Sequence, residues 1–264
     1  PLRGLSALGR PPTTVNKDLT THFVGRLRAQ DPQAWFELWE TFGPVLRAQL
    51  SRWGRGYIGW ETVQDLSQET MTALAGAVHR HDPSKGARFS TWLLAIARHT
   101  LGDEVDRRMA QKRGSGVRPS SLEAAEGNAD GGIGPDAAYE EVVFEAKVSA
   151  TLRATERECD FLDFSVFRMR VLEGQSGKDV ARALGTSEPT VSRRLARART
   201  VMRRHLGEVF AKYSFTEDEW AELERKGLDP NPKKGEDAAF DDAVAEIYHR
   251  ISERQRAEAK GSTT

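Results

Sequence analysis

The side chains best suited to meet a polyanion crowd into one short stretch. Ser187, Thr190, Ser192, Arg193, Arg194, Arg197, Arg199, Arg203 and Arg204 all lie there. An arginine can hold guanine O6 and N7 in a bidentate contact, and a hydroxyl can serve either a base or a phosphate. An arginine-rich run alone is equally a solvated helix surface; the apolar residues around it separate the two cases. Val180, Ala181 and Leu184 make one short stripe, Gly185 interrupts it, and Val191, Leu195, Ala198 and Met202 follow at helical spacing. This is a helix-turn-helix pattern. Ala181 is small where two helices must cross, and Gly185 supplies the positive φ that ends the first of them. Ser187 offers a capping hydroxyl, Pro189 is tolerated in the first turn, and Val191 fills the space between the helices. The start of the second helix, from Thr190 to Arg197, is then the part that enters a major groove, while the later arginines suit phosphates.

A second basic stretch, residues 85–113, carries Lys85, Arg88, Arg98, Arg107, Arg108, Lys112 and Arg113. Its apolar residues Trp92, Leu93, Ile96, Ala97, Leu101 and Val105 recur at helical spacing. Trp92 has the chemistry of a stacking platform, but an aromatic in the middle of such a stripe is assigned to the core.

The elements that position these groups are helical throughout; the alternation expected of strands is absent. Ala34, Leu38, Phe42, Val45 and Leu46 line one stripe, and Val63, Leu66, Thr70, Leu74 and Ala77 another, with Pro83 and Gly86 setting the third apart. The fold class is therefore all-α. Residues 114–137 are rich in Gly, Ser, Pro and Ala with almost no large apolar side chain and read as a flexible linker. The expected divisions are a loose tail (1–17), a helical domain (18–113), the linker (114–139), a helix-turn-helix domain (140–206) and an acidic extension (207–264).

The 264 residues hold 39 Lys+Arg against 39 Asp+Glu, for a net charge of zero. That total hides an order. Residues 85–113 carry +4, 114–164 carry −7, 165–206 carry +7 and 207–264 carry −5. Two short basic segments can each meet a polyanion while the acidic ones stay clear of it or cover them.

Other chemistry is weakly indicated. The single Cys159 excludes an intrachain disulfide and a thiolate metal site, and its neighbours Glu158 and Asp160 disfavour a reactive thiolate. His79, His81 and Asp82 resemble metal ligands but sit before a Pro-Gly turn and are as readily a solvated loop. No nucleophile–base pair, phosphate loop or metal quartet is present, so neither an enzyme nor a cofactor is expected. No stretch approaches the length of a membrane span, and the cytoplasm is the expected compartment.

Taken together, three stretches resemble the sigma factors of bacterial RNA polymerase, in the extracytoplasmic-function group. They are AWFELWETFGPVL (34–46) with DLSQETMTAL (65–74), FSTWLLAIARHTLGDEVDRR (89–108), and VFRMRVLEGQSGKDVARALGTSEPTVSRRLARAR (166–199). The resemblance implies two small helical domains, sigma domain 2 and a helix-turn-helix sigma domain 4. It implies docking of Asp65, Gln68 and Glu69 on the beta-prime clamp helices of the core polymerase, with Leu66 and Leu74 facing inward, and contact of the second domain with the beta flap. Promoter DNA is the other partner it implies. The minus-35 element would be read by Ser187, Thr190, Ser192, Arg193, Arg194 and Arg197, and the minus-10 element by Lys85, Arg88, Arg98, His99, Asp103, Arg107 and Arg108. Where the family usually has Asn this chain has His99, which suggests an altered minus-10 preference. The Leu-Pro pair that normally precedes the second domain's helices is missing from LRATERECDFLDFS. A helix-turn-helix regulator acting as a dimer is the alternative, and a helical interaction bundle a weaker third.

The extension is not explained by the resemblance. Thr216 to Glu219 match a capping box opening a helix through Trp220 and Leu223, with Gly227 as its stop. Phe240, Val244, Ile247 and Ile251 form a narrow stripe on a further helix that needs a partner surface. It is either a loosely attached extension or a regulatory segment whose negative charge competes for the basic surfaces; an assisting role, or binding of a signalling protein such as an anti-sigma factor, stays open beside these.

Overall fold

The structure is a computed structural model and describes residues 13–80, 89–114, 137–213, 222–223, 225–228 and 237–261. Among the described residues every regular element is helical, as the sequence pattern predicts. The order is α1 (Thr13–Arg28), α2 (Pro32–Trp53), α3 (Trp60–Ala77), a 3-10 turn (Val78–Arg80), α4 (Phe89–Gly114), α5 (Ala137–Glu158), α6 (Phe161–Phe167), a π-helical turn (Arg168–Leu172), α7 (Gly177–Ala183), α8 (Glu188–Tyr213) and α9 (Asp237–Gly261). The described residues fall into two compact units. One holds 27–80, 89–114 and 137–143, the other 13–26, 144–213 and the described residues after them.

In the first unit α2, α3 and α4 pack on one another. The Asp31 carboxylate caps α2 by accepting the Gln33 N–H at 2.9 Å, satisfying a donor that has no partner inside the helix. At the far end Gly54 is required by close approach, because a Cβ there would lie 2.3 Å from the Ile58 side chain. Leu38, Phe42, Leu46, Leu66, Leu74, Leu93 and Ala97 are buried between the three helices. The buried line of α4 is not quite the apolar stripe. Thr100 and Glu104 complete it, while Trp92, Ile96, Leu101 and Val105 are only half-buried on its flanks. Both polar residues are tolerated because they have partners: the Thr100 hydroxyl lies 3.3 Å from that of Thr70, and Glu104 is paired with two arginines. Trp92 is thus a correction, a half-buried ring lying edge-on to Phe89 at 5.8 Å rather than a core residue.

The second unit is a single apolar cluster reaching from α5 to α9. Phe144, Val148, Phe167, Val180, Val191, Leu195, Met202 and Phe210 share it with Phe240, Val244 and Ile247. The α9 stripe therefore has its partner surface, the helix-turn-helix unit itself. Leu223 and Leu228 join the same cluster, and Gly227 takes φ +74° beside them.

Several boundaries differ from expectation. Residues 13–17 are helical rather than part of a loose tail. In α1, moreover, the Thr20 hydroxyl donates to the Ala211 carbonyl at 2.8 Å and Phe23 meets Tyr213 edge-on, so this segment groups with α8 and not with residues 27–113. Helix α5 begins at Ala137, inside the last residues assigned to the linker, and α8 continues seven residues past 206 to Tyr213. The central part of that linker, 115–136, and the expected helix start at Thr216 to Trp220 lie outside the described residues. Where the Leu-Pro pair is missing, Asp160 makes the break instead: its carboxylate accepts the N–H groups of Leu162 and Asp163 and starts α6.

Candidate nucleic-acid interface

The helix-turn-helix is built as the spacing requires. Val180, Ala181, Val191, Leu195, Ala198 and Met202 are buried. Ser176 caps α7 by accepting the Asp179 N–H, and its hydroxyl returns to the Asp179 carboxylate at 2.6 Å. Gly185 turns the chain with φ +61°, a conformation that costs other residues dearly. The Ser187 carbonyl accepts from Thr190 and Val191. Its hydroxyl lies 2.9 Å from that of Thr190, a side-chain contact in the place of the expected cap. This leaves Ser192, Arg193, Ala196, Arg197, Thr200 and Arg204 as the exposed ridge of α8.

Arginines on and beside that ridge are engaged by carboxylates. Toward α6, Asp163 is only 4% exposed. Arg197 grips it with two hydrogen bonds, Nε to Oδ2 at 2.6 Å and Nη2 to Oδ1 at 2.8 Å, and Arg194 Nη1 reaches Oδ1 at 2.6 Å. Hydrogen bonding to Arg197 first, then to Arg194, outweighs burial and holds the Asp163 carboxyl below its ordinary range, while the same pair raises Arg197. Arg193 donates to the Thr190 hydroxyl at 3.2 Å, a bond within the first turn of α8.

Toward α9, Arg199 Nε donates to Asp241 at 2.9 Å and Nη1 to Asp237 at 3.2 Å. Arg203 donates to Asp237 at 2.7 Å and lies 4.5 Å over the Phe240 ring. These two side chains are only 15% and 16% exposed. The Asp237 carboxyl is held low, chiefly by its bond from Arg203. Further along, Arg204 pairs with Glu158 and Glu208, and the Arg204 hydrogen bond keeps Glu158 low.

In the first unit Asp65, Gln68 and Glu69 are exposed on α3, while Leu66, Ser67, Thr70 and Leu74 are buried behind them. On α4, Arg98, His99, Asp103 and Arg107 are exposed, and His99 Nδ1 lies 3.0 Å from Asp103. Arg107 and Arg108 both grip the buried Glu104, and Arg108 also donates to the Thr62 hydroxyl at 2.8 Å and the Tyr57 carbonyl at 3.2 Å. Arg108 therefore ties α4 to the first turn of α3 and to the turn before it. Lys85 and Arg88 lie outside the described residues, as do His81 and Asp82. Among the described residues no group of His, Cys, Asp and Glu could hold a metal ion, and no helix is long and apolar enough to cross a membrane. Burial and the nearby Asp163 and Asp160 carboxylates raise the Cys159 thiol.

Sequence reasoning missed the acidic partners Glu104, Asp163, Asp237 and Asp241. A carboxylate distant in sequence carries no periodic signal; only the excess of acidic residues in the linker region and tail hinted that the basic segments had local counterparts.

Comparison with known proteins agrees with this geometry. The Sigma-70 region 2 family model matches residues 38–111, and the Sigma-70, region 4 model matches residues 162–202. The probable RNA polymerase sigma-C factor of Mycobacterium bovis is 32% identical over 142 residues, covering 53% of this chain and 68% of that protein. The ECF RNA polymerase sigma factor SigC of Mycobacterium tuberculosis matches with the same identity and coverage.

Proposed function

The chain belongs to the extracytoplasmic-function group of bacterial RNA polymerase sigma factors, and from that premise we propose how its surfaces divide the work of promoter recognition. Residues 18–113 serve as region 2 and 140–206 as region 4, with the structural adjustments at α1 and α8 already described. Asp65, Gln68 and Glu69 form the face that meets the beta-prime clamp helices; the helix-turn-helix unit meets the beta flap. The observation that carries this reading is the contrast on α3: Asp65, Gln68 and Glu69 are exposed in front of a buried row of Leu66, Ser67, Thr70 and Leu74.

The minus-35 element falls to the start of α8. Ser187, Thr190, Ser192 and Arg193 are positioned for base edges and nearby phosphates, with Arg197 one turn on and Arg194 beside it. The minus-10 element falls to Lys85, Arg88, Arg98, His99, Asp103, Arg107 and Arg108. Opening a duplex requires trapping unstacked bases while cations hold the separated strand. Arg108, anchored to Glu104 and the turn before α3, contributes chiefly by fixing the surface that the others present. The protein acts by binding, in the cytoplasm with the polymerase, and not by catalysis.

Helix α9 restrains region 4 from within the same chain. Asp237 and Asp241 occupy Arg199 and Arg203, the cations best placed for phosphates, while the exposed ridge of α8 stays open. This is a partial restraint, lowering electrostatic attraction without covering the base-reading side chains; an anti-sigma factor would act on top of it.

Mixing the purified chain with core polymerase tests the assignment. A stoichiometric complex on gel filtration supports it. A dimer that binds duplex DNA alone and leaves the polymerase peak unchanged supports the regulator alternative instead.

A further inference from the structure

We infer that Asp163 is a positioning residue for minus-35 recognition, fixing the orientation in which Arg197 meets a base pair. The inference rests on the assignment of Arg197 to DNA contact and deepens it. Both oxygens of one buried carboxylate are used: Oδ2 takes Arg197 Nε, and Oδ1 takes Arg197 Nη2 and Arg194 Nη1. The carboxylate is itself held in place. Its residue occupies the first turn of α6, where its N–H donates to Asp160 at 3.2 Å, and its neighbours Phe164 and Phe167 lie in the core cluster shared with α8.

A guanidinium has five N–H donors in a plane. With Nε and one Nη2 hydrogen directed to Asp163, both Nη1 hydrogens and the second Nη2 hydrogen point away. Arg197 thus presents an end-on, two-donor fork, the arrangement that matches guanine O6 and N7. The side chain remains 58% exposed, so the fork is held without being hidden. A free arginine would lose rotamer freedom on binding; one already pinned loses less. Arg194, only 24% exposed and shared between Asp163 and Asp160, braces the carboxylate from the other side.

The same charge has an opposite effect on sequence-independent binding. A carboxylate beside the recognition helix weakens attraction to phosphates whatever the sequence. Removing it should therefore tighten non-specific binding while loosening discrimination, a divergence that a merely structural residue would not produce.

The experiment uses the full chain assembled with core polymerase and a duplex library randomised across the minus-35 element, comparing the unaltered protein, Asp163→Asn, Arg197→Ala and the double variant. The expected result is about tenfold weaker discrimination at one base pair in Asp163→Asn. Affinity for a scrambled duplex should rise, with a salt dependence steeper by about one unit. No further loss of discrimination is expected on adding Asp163→Asn to Arg197→Ala. An unchanged preference in Asp163→Asn while Arg197→Ala loses it would overturn the positioning role alone; an unchanged preference in Arg197→Ala would overturn the DNA assignment of Arg197 and this inference with it. A second measurement requires no variant to fold. In the nitrogen-15 spectrum of the unaltered protein without DNA, the Arg197 Nε–H should exchange slowly with solvent, and fast exchange would contradict the pinned fork.

Discussion

Arg199 of α8 and Asp241 of α9 meet fork to fork: Nε donates to Oδ1 at 2.9 Å while Nη2 reaches Oδ2. The two residues lie 42 positions apart in the chain. One turn away Arg203 makes a single hydrogen bond, from Nη2 to Asp237 Oδ1 at 2.7 Å. If these carboxylates stand where phosphates would, replacing both with Asn should release two cations. Asp237→Asn with Asp241→Asn is expected to strengthen duplex binding about tenfold at moderate salt and to steepen the salt dependence by about two units. Fluorescence anisotropy on a labelled duplex at several salt concentrations reads both quantities.

The apolar half of that contact carries the docking energy. Phe240 is 1% exposed and lies beneath Arg203. Phe240→Ala should destabilise the second unit by about 3 kcal/mol, seen as a lower midpoint in denaturant and faster proteolysis within α9. Exposed Glu246, 72% accessible on the other side of the same helix, should tolerate Ala within about 0.5 kcal/mol.

The α3 face makes a similar contrast testable in the first unit. Glu69→Lys changes an exposed side chain and should leave the melting temperature unaltered while weakening the complex with core polymerase at least about tenfold, as a reversed charge at an interface does. Leu66→Ala, in the buried row behind it, should cost about 3 kcal/mol of stability. Equal core affinity for Glu69→Lys and the unaltered chain would remove α3 from the interface.

Acid should loosen the α6–α8 tie. Arg197 and Arg194 hold the Asp163 carboxyl below its ordinary range. The ionised form therefore stabilises the fold at all pH above the unfolded value of about 3.9, and that contribution is lost as pH falls through the lower folded value. Thermal melting from neutral pH downward should show a steeper loss below about pH 4 in the unaltered protein than in Asp163→Asn. Asp237 shifts in the same direction but is 53% exposed, so solvent screening makes its share smaller.

His99 stands exposed on α4 beside Asp103, at the position where the resemblance to sigma factors implies Asn. His99→Asn should change base preference within the minus-10 element and leave core affinity unaltered. A promoter library transcribed with both proteins separates these outcomes.

The helix-turn-helix and its burial pattern were legible because each apolar residue answers to one helix period: Val191, Leu195, Ala198 and Met202 are all buried. The same holds for Leu66 and Leu74 on α3 and for Phe240, Val244 and Ile247 on α9. The α4 face was read one step off, because Thr100 and Glu104 lie in the buried line and no hydropathy pattern announces a polar residue that will find a partner. Asp163 was invisible for a related reason. Its significance depends on two arginines more than 30 positions away, and charge segregation along the chain told only that such partners existed. The zero net charge is a sum of opposed segments, and at Arg199 and Arg203 the opposition has become direct contact.

Transcription in a purified system reads promoter recognition by this chain directly. The full chain and core polymerase would be given a library of promoter templates, and the transcribed templates read. A sigma factor with these surfaces should show a defined minus-35 and minus-10 preference, with transcripts lost on Glu69→Lys and the minus-35 preference lost on Arg193→Ala with Arg197→Ala. No chain-dependent transcript from any template, alongside duplex binding by the chain without polymerase, would contradict that role.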